Sequence, residues 1–202
     1  MTHPRRFCDT KRRPVVAIMV KAPAAGRSKT RLGREIGMVP AAWWARHQLT
    51  RLARTLPDPR WETVLAVAPD PQVASTALPL LPRLPQGPGD LGDRMAHVFR
   101  SLPGPVLIVG ADIPGITRAH IAAGFAALGA HDAVLGPAPD GGYWAIGLKR
   151  TRPLPPRLFE GARWSSPHAL ADTLATLGTQ RIASLPTLHD IDTAADLKRV
   201  SP

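Results

Sequence analysis

The run Val15-Val16-Ala17-Ile18-Met19-Val20 is continuous and rich in β-branched residues, and it opens directly into Lys21-Ala22-Pro23-Ala24-Ala25-Gly26-Arg27-Ser28-Lys29-Thr30-Arg31-Leu32. An unbroken apolar run of this length is the signature of a strand buried on both faces. Similar runs recur at 64–67, 106–109, 133–135 and 143–148. Between them lie helical stretches: 40–56, 91–101 opened by Asp90, 118–128 opened by Thr117, 167–177 opened by Ser165 or Ser166, and 194–200 opened by Thr193. Proline in the first turn of two of these fits, since its missing N–H costs nothing there. Strands alternating with helices imply an α/β, Rossmann-like domain: a mostly parallel sheet, mixed where two strands meet through a tight turn, with helices on both faces. The Pro-rich stretch 79–88 reads as a loop with room for one short strand. In such sheets ligands bind at the carboxyl ends of the strands, so chemistry is expected in the loops that follow them.

The chain has 202 residues, enough for one domain with a sizeable core, and no window approaches the ~20 unbroken apolar residues of a membrane span. Residues 1–13 read as a solvated basic tail and 14–202 as the domain; the tail lacks the apolar segment of a secretory signal. Cys8 is the only cysteine, which excludes a disulfide framework or a multi-cysteine zinc site within the chain and makes a cytoplasmic location the expectation. The 26 Lys and Arg against 15 Asp and Glu give a formal charge of +11, which favours anionic partners. The basic residues do not gather into one stripe, and no recognition-helix, RRM, KH or zinc-finger pattern is present. A small phosphorylated ligand is therefore expected, rather than a membrane or nucleic acid. Two other readings stay open, a basic nucleic-acid-binding protein without catalysis and a non-catalytic nucleotide sensor.

Four loops carry the candidate residues. In the first, Lys21, Arg27, Lys29 and Arg31 fall within eleven residues of a strand end, and Gly26 lets backbone N–H groups approach an anion. This outlines a polyphosphate cradle without being a Walker loop. The second, Gln86-Gly87-Pro88-Gly89-Asp90, has two glycines that let a flat group lie against backbone, with Gln86 offering a donor and an acceptor to a base edge. In the third, Asp112 follows a buried strand and precedes the rigid Ile113-Pro114 unit, well placed to hold Mg²⁺ (or Mn²⁺) against phosphate oxygens. The fourth, Asp140-Gly141-Gly142-Tyr143, is a tight turn whose following aromatics suit the wall of an acceptor pocket. Near the C-terminus, Thr193 and Asp196 form a capping-box-like helix start, which leaves Asp190 and Asp192 on one face of an extended segment as further cation ligands.

Taken together, K-A-P-x-x-G-x-x-K-T-R-L, Q-G-x-G-D-L-G-x-R-M, a single Asp before Pro at the central strand end, L-G-P-A-x-D-G-G-Y, W-S-[ST] and D-I-D-T-x-x-D-L resemble a bacterial family of glycosyltransferase-A-like proteins in the nucleotide-diphospho-sugar transferase superfamily. The resemblance runs in order from about Val15 to Leu197. It extends more distantly to the guanylyltransferases that activate phospholactate and to molybdenum-cofactor guanylyltransferase. It implies that Gly26, Lys29 and Arg31 hold nucleotide phosphates, and that Gln86, Gly87, Gly89 and Asp90 lie near base or ribose. It implies further that Asp112 binds Mg²⁺, with Asp190 or Asp192 completing the site, and that Asp140, Gly141, Gly142, Tyr143, Trp164 and Ser165 surround the acceptor. Glycosyltransferases of this fold usually hold the metal with Asp-x-Asp, whereas here Gly110 stands two before Asp112. That departure favours nucleotidyl transfer from a nucleoside triphosphate to a small phosphorylated acceptor. Glycosyl transfer from a nucleotide-sugar is the alternative.

Overall fold

A computed structural model of the chain describes residues 13–200. The expected basic tail, Arg13 excepted, and Cys8 lie outside the described residues. Seven strands form one sheet: β1 (Val15–Lys21), β2 (Glu62–Ala68), β3 (Arg83–Pro85), β4 (Val106–Gly110), β5 (Ala133–Pro137), β6 (Tyr143–Leu148) and β7 (Ile182–Ser184). Their order is β3-β2-β1-β4-β6-β5-β7, and every neighbouring pair is parallel except those made by β6, which runs antiparallel to β4 and β5. Among the described residues the six α-helices are α1 (Thr30–Ile36), α2 (Met38–Thr55), α3 (Leu91–Ser101), α4 (Arg118–Ala130), α5 (Ala169–Thr176) and α6 (Ala194–Val200). The expected single-domain α/β, Rossmann-like fold with a mixed, mostly parallel sheet is the fold observed.

Alternation along β1 explains both layers. Val16, Ile18 and Val20 join Leu49 and Leu52 of α2 and Ile121 and Leu128 of α4 in one core. Val15 and Ala17 join Met95, Val98 and Phe99 of α3 in the other. Successive side chains of a strand point to opposite faces, so a strand buried on both sides needs the unbroken apolar run seen in the sequence. Arg83 ties the stretch before β3 in place by donating to the carbonyls of Val73, Ser75, Leu78 and Pro79.

Three elements differ from the sequence reading. Residues 30–32, expected as the end of the cationic loop, and 33–36, assigned to no element, form α1, whose Leu32 packs with Ala41 and Ile191 in a small satellite core. β7 is a three-residue strand with no pattern of its own. α5 begins at Ala169 and is capped by His168, not by Ser165 or Ser166. Ser166 instead closes a turn: its hydroxyl donates to the Arg163 carbonyl at 2.6 Å and accepts from the His168 N–H at 3.2 Å.

Candidate active site

The carboxyl ends of β1 and β4 and the amino end of β6 meet at one edge of the sheet, because β6 runs opposite to its neighbours. A cleft of about 550 Å³ opens there, lined among others by Lys29, Asp112, Asp140, Tyr143, Trp164 and Asp192. The cationic loop is folded back by Ser28, a buried residue whose hydroxyl accepts from the Ala24 N–H and donates to the Ala24 carbonyl, both at 3.1 Å. Lys29 then adopts the left-handed conformation (φ 49°, ψ 46°) and starts α1. That turn aims its side chain across the cleft.

Lys29 Nζ donates to Asp112 Oδ2 at 2.6 Å and to Asp192 Oδ1 at 2.7 Å, and Arg31 reaches Asp192 Oδ2 at 3.2 Å. The Lys29 side chain is only 13% exposed, against 35% and 36% for the two carboxylates. Burial works to lower the Lys29 pKa, but the charges and hydrogen bonds of Asp112 and Asp192 outweigh it and raise it above the ordinary lysine value. The strand-like segment carrying Asp190 and Asp192 is drawn to Asp112 by the Ile191 N–H, which donates to the Asp112 carbonyl. Asp196 accepts from the N–H groups of Asp192 and Thr193 and from the Thr193 hydroxyl, so the expected cap of α6 is present.

Asp190 lines the same cleft but takes no part in the Lys29 bridge. Burial first, and then the charges of Asp112, Asp140 and Asp192, push its carboxyl up to about 6. Among the described residues no three His, Cys, Asp or Glu side chains gather as a metal cluster; Asp112, expected to be joined by Asp190 or Asp192, shares the lining of the cleft with both. What converges is two carboxylates on one ammonium. Their oxygens lie where a single hard cation would meet both, and hard oxygen donors suit Mg²⁺ or Mn²⁺. A Cβ at Gly110 would stand 2.7 Å from Asp112 Oδ1, so any side chain there would make the Asp112 carboxylate shift.

A second recess of about 650 Å³ lies on the far side of the loop, lined by Lys21, Gly26, Arg27, Asp70, Gly87 and Arg94 among others. Gly26 and Gly87 take positive φ, 71° and 80°, and the Gly87 N–H donates to Asp70 Oδ1. Gln86 does not face this recess as a donor. It is buried, and its Nε2 donates to the carbonyls of Val20 and Ala66, a structural bond across β1 and β2. Gly89, at φ 92°, leads into Asp90, whose carboxylate caps α3 through the Asp93 N–H and accepts from Trp164 Nε1 at 3.1 Å. The expected base loop is thereby joined to the expected acceptor wall.

That wall is built on the β5–β6 turn. Gly142 donates to Asp140 Oδ1, and Gly141 at φ 84° has no room for a side chain beside Pro167. Tyr143 and Trp164 meet edge to face with ring centroids 6.5 Å apart, and Phe159 backs Trp164 at 5.9 Å. Burial, opposed only by the hydrogen bond from Thr173, raises the Tyr143 pKa far above its ordinary value, so it remains a neutral phenol. Ser165 lines the same cleft in a left-handed conformation (φ 56°). Trp144, next to Tyr143, points to the opposite face into the core and donates to the Pro186 carbonyl. Sequence reasoning missed Trp44, whose ring lies 6.0 Å from Lys29 Nζ, and Arg94, which sits within the quoted glycine-rich motif and donates to the Gly89 carbonyl.

Known structures share this fold. A protein of Desulfovibrio desulfuricans G20, provisionally assigned as a nucleotide-diphospho-sugar transferase, superposes with a TM-score of 0.81 at 29% identity, over 91% of this chain and 84% of its own. Rv0371c of Mycobacterium tuberculosis H37Rv in complex with manganese superposes at 0.55 with 14% identity, over 92% of this chain and 97% of its own. Molybdopterin-guanine dinucleotide biosynthesis protein A of Archaeoglobus fulgidus gives 0.52 with 14% identity, over 92% and 95%. The last two share the fold alone at these identities. A comparison with curated proteins finds no match. The fold is that of the glycosyltransferase-A-like superfamily of nucleotide-diphospho-sugar and nucleotidyl transferases. Residues 51–166, more than half of the chain, match the model of a family described as uncharacterized protein conserved in bacteria (DUF2064), and the chain belongs to that family. Among the described residues no helix is long and apolar enough to cross a membrane.

Proposed function

We propose that the chain is a divalent-cation-dependent nucleotidyltransferase that joins a nucleoside monophosphate unit to a small phosphorylated acceptor. The observation that carries this reading is the convergence of Asp112 and Asp192 on Lys29 Nζ at the strand-end cleft, with Arg31 beside them. Asp112 and Asp192 would hold Mg²⁺ or Mn²⁺. The manganese in the Rv0371c complex and the hard oxygen chemistry of the pair support that choice. When bound, such an ion supplies charge neutralisation on the phosphate oxygens. Lys29, released from the carboxylates, and Arg31 bind the β- and γ-phosphates. Lys21, Gly26 and Arg27 border the recess next to them together with Gly87, where base or ribose would lie, and the loop through Gly89 is fixed by Asp90.

The acceptor lies against Tyr143, Trp164, Ser165 and the Asp140-Gly141-Gly142 turn. Its phosphate oxygen attacks the α-phosphorus, a new P–O bond forms, the bond from Pα to the bridging oxygen breaks, and pyrophosphate departs with that electron pair. No protein nucleophile is needed, so catalysis is alignment and charge stabilisation.

Glycosyl transfer from a nucleotide-sugar is the second reading, favoured by the assignment given to the Desulfovibrio protein. The absence of an Asp-x-Asp pair, with Gly110 in its first position, argues against it. A thermal-shift panel of nucleoside triphosphates and nucleotide-sugars, with and without Mg²⁺, followed by a pyrophosphate-release assay, separates the two. Stabilisation by a triphosphate that is lost in EDTA and in Asp112→Asn supports nucleotidyl transfer. Stabilisation by a nucleotide-sugar alone reverses the choice, and no response to either class in Mg²⁺ removes the assignment of the site.

A further inference from the structure

A larger cavity, about 820 Å³, lies at the other end of the sheet. Leu148, on its wall, pairs with Val106 at the start of β4, whereas Asp112 follows the end of that strand. The cavity is framed by the segment after β6 and by the end of α5 as far as Gln180. Its acidic residues are already matched. Asp132 accepts from the Arg181 N–H and pairs with its side chain, Glu160 pairs with Arg157, and Asp172 pairs with Arg163.

Apart from Arg157, its basic residues Lys149, Arg150 and Arg152 have no carboxylate of their own among the described residues. Arg150 makes no hydrogen bond or ion pair among the described residues, although its Nη1 is buried. Burial alone lowers its pKa, with no carboxylate opposing. Lys149 Nζ donates only to the neutral Gly129 carbonyl, and Arg152 shares the field of Asp132 with Arg181. Arg150 also holds the left-handed conformation, φ 59°, which residues with a Cβ rarely adopt. Buried polar groups are normally partnered. Four buried side-chain polar atoms lack a partner among the described residues, and two of them, Arg150 Nη1 and Gln180 Oε1, belong to residues lining this one cavity. One is a cationic donor and the other a neutral acceptor.

We infer that this cavity is a second ligand site, separate from the strand-end cleft, which takes a small phosphorylated molecule bearing hydroxyl groups. Arg150 grips the phosphoryl group in a charge-assisted hydrogen bond, Lys149 and Arg152 add charge, and Gln180 accepts from a hydroxyl. The volume is that of a site for a ligand of metabolite size. The inference does not rest on the reading of the cleft.

The test is calorimetric titration of the full chain in EDTA with ribose 5-phosphate and, separately, inorganic phosphate. Ribose 5-phosphate is expected to bind the wild type and Lys29→Ala alike, with inorganic phosphate weaker. Arg150→Gln should lose at least about tenfold in affinity for both, while Gln180→Leu should weaken ribose 5-phosphate only. Arg152→Gln, on an exposed side chain, gives a smaller loss and stands in if Arg150→Gln does not fold. No binding in the millimolar range, binding abolished by Lys29→Ala, or binding indifferent to both arginine variants overturns the inference.

Discussion

Lys29 Nζ stands 2.6 Å from Asp112 Oδ2, and the same ammonium bonds Asp192, so one lysine bridges two carboxylates that lie 83 and 163 residues away from it in sequence. An ammonium here and a divalent cation cannot both hold the same oxygens. In metal-free buffer Lys29→Ala should therefore melt below the wild type, because two neighbouring carboxylates lose their counter-charge. Mg²⁺ should raise the melting temperature of Lys29→Ala more than that of the wild type. Differential scanning fluorimetry across a Mg²⁺ titration checks this, and equal responses would show that the metal binds elsewhere.

Asp112→Asn keeps the shape of the side chain and removes its charge. Pyrophosphate release should fall by about 10²–10³-fold, the usual cost of losing one preorganised electrostatic group in a transition state. The variant should remain folded by circular dichroism.

Trp164 holds its place through Asp90, Tyr143 and Phe159. In steady-state kinetics Trp164→Ala should raise KM for the acceptor by about tenfold, the effect of losing ~1.4 kcal/mol of stacking and burial, and leave KM for the nucleotide nearly unchanged.

Gly141→Ala combines a positive φ with overlap of the new Cβ and the Pro167 backbone. A loss of about 1–3 kcal/mol is expected, read as a lower urea midpoint at unchanged m-value.

The turn before α5 gives a pH dependence. Hydrogen bonds from the Arg163 side chain and N–H hold the Asp172 carboxyl well below the usual range. A depressed folded pKa contributes stability that is fully present above the unfolded value, ~3.9, and is lost as pH falls through the lower folded value. Asp172→Asn should thus lower the melting temperature at pH 7 and shrink the difference between pH 7 and pH 2 relative to the wild type.

Much of this was legible in sequence because it depends on local pattern. The strand around Val15–Lys21 declares itself by composition, and the caps at Asp90 and Thr193 by side-chain type. α1 was hidden because Gly33 and the crowded cations weaken its helical signal; it exists because Leu32 finds Ala41 and Ile191, contacts no local window contains. The candidate residues Lys29, Asp112 and Asp192 were individually visible as strand-end polar groups. Asp112 and Asp192 are also expected from the sequence at one cation, but the bridge that Lys29 makes between them is not legible, since it follows from chain crossovers that bring together segments far apart in sequence. Gln86 shows the converse: its sequence context suggested a ligand, while burial gave its amide to two carbonyls.

The single antiparallel strand β6 has an evolutionary consequence. Because it enters the sheet from the working edge, its whole approach, residues 138–142, is a hairpin turn that belongs to no crossover helix. The segments that would grip the nucleotide all precede residue 113, and those that would meet its partner substrate follow residue 137, apart from Asp190 and Asp192. On the proposed function, insertions or substitutions in that hairpin would change the acceptor while leaving the donor half untouched, so sister proteins should diverge in length and charge there before they diverge anywhere along 21–31.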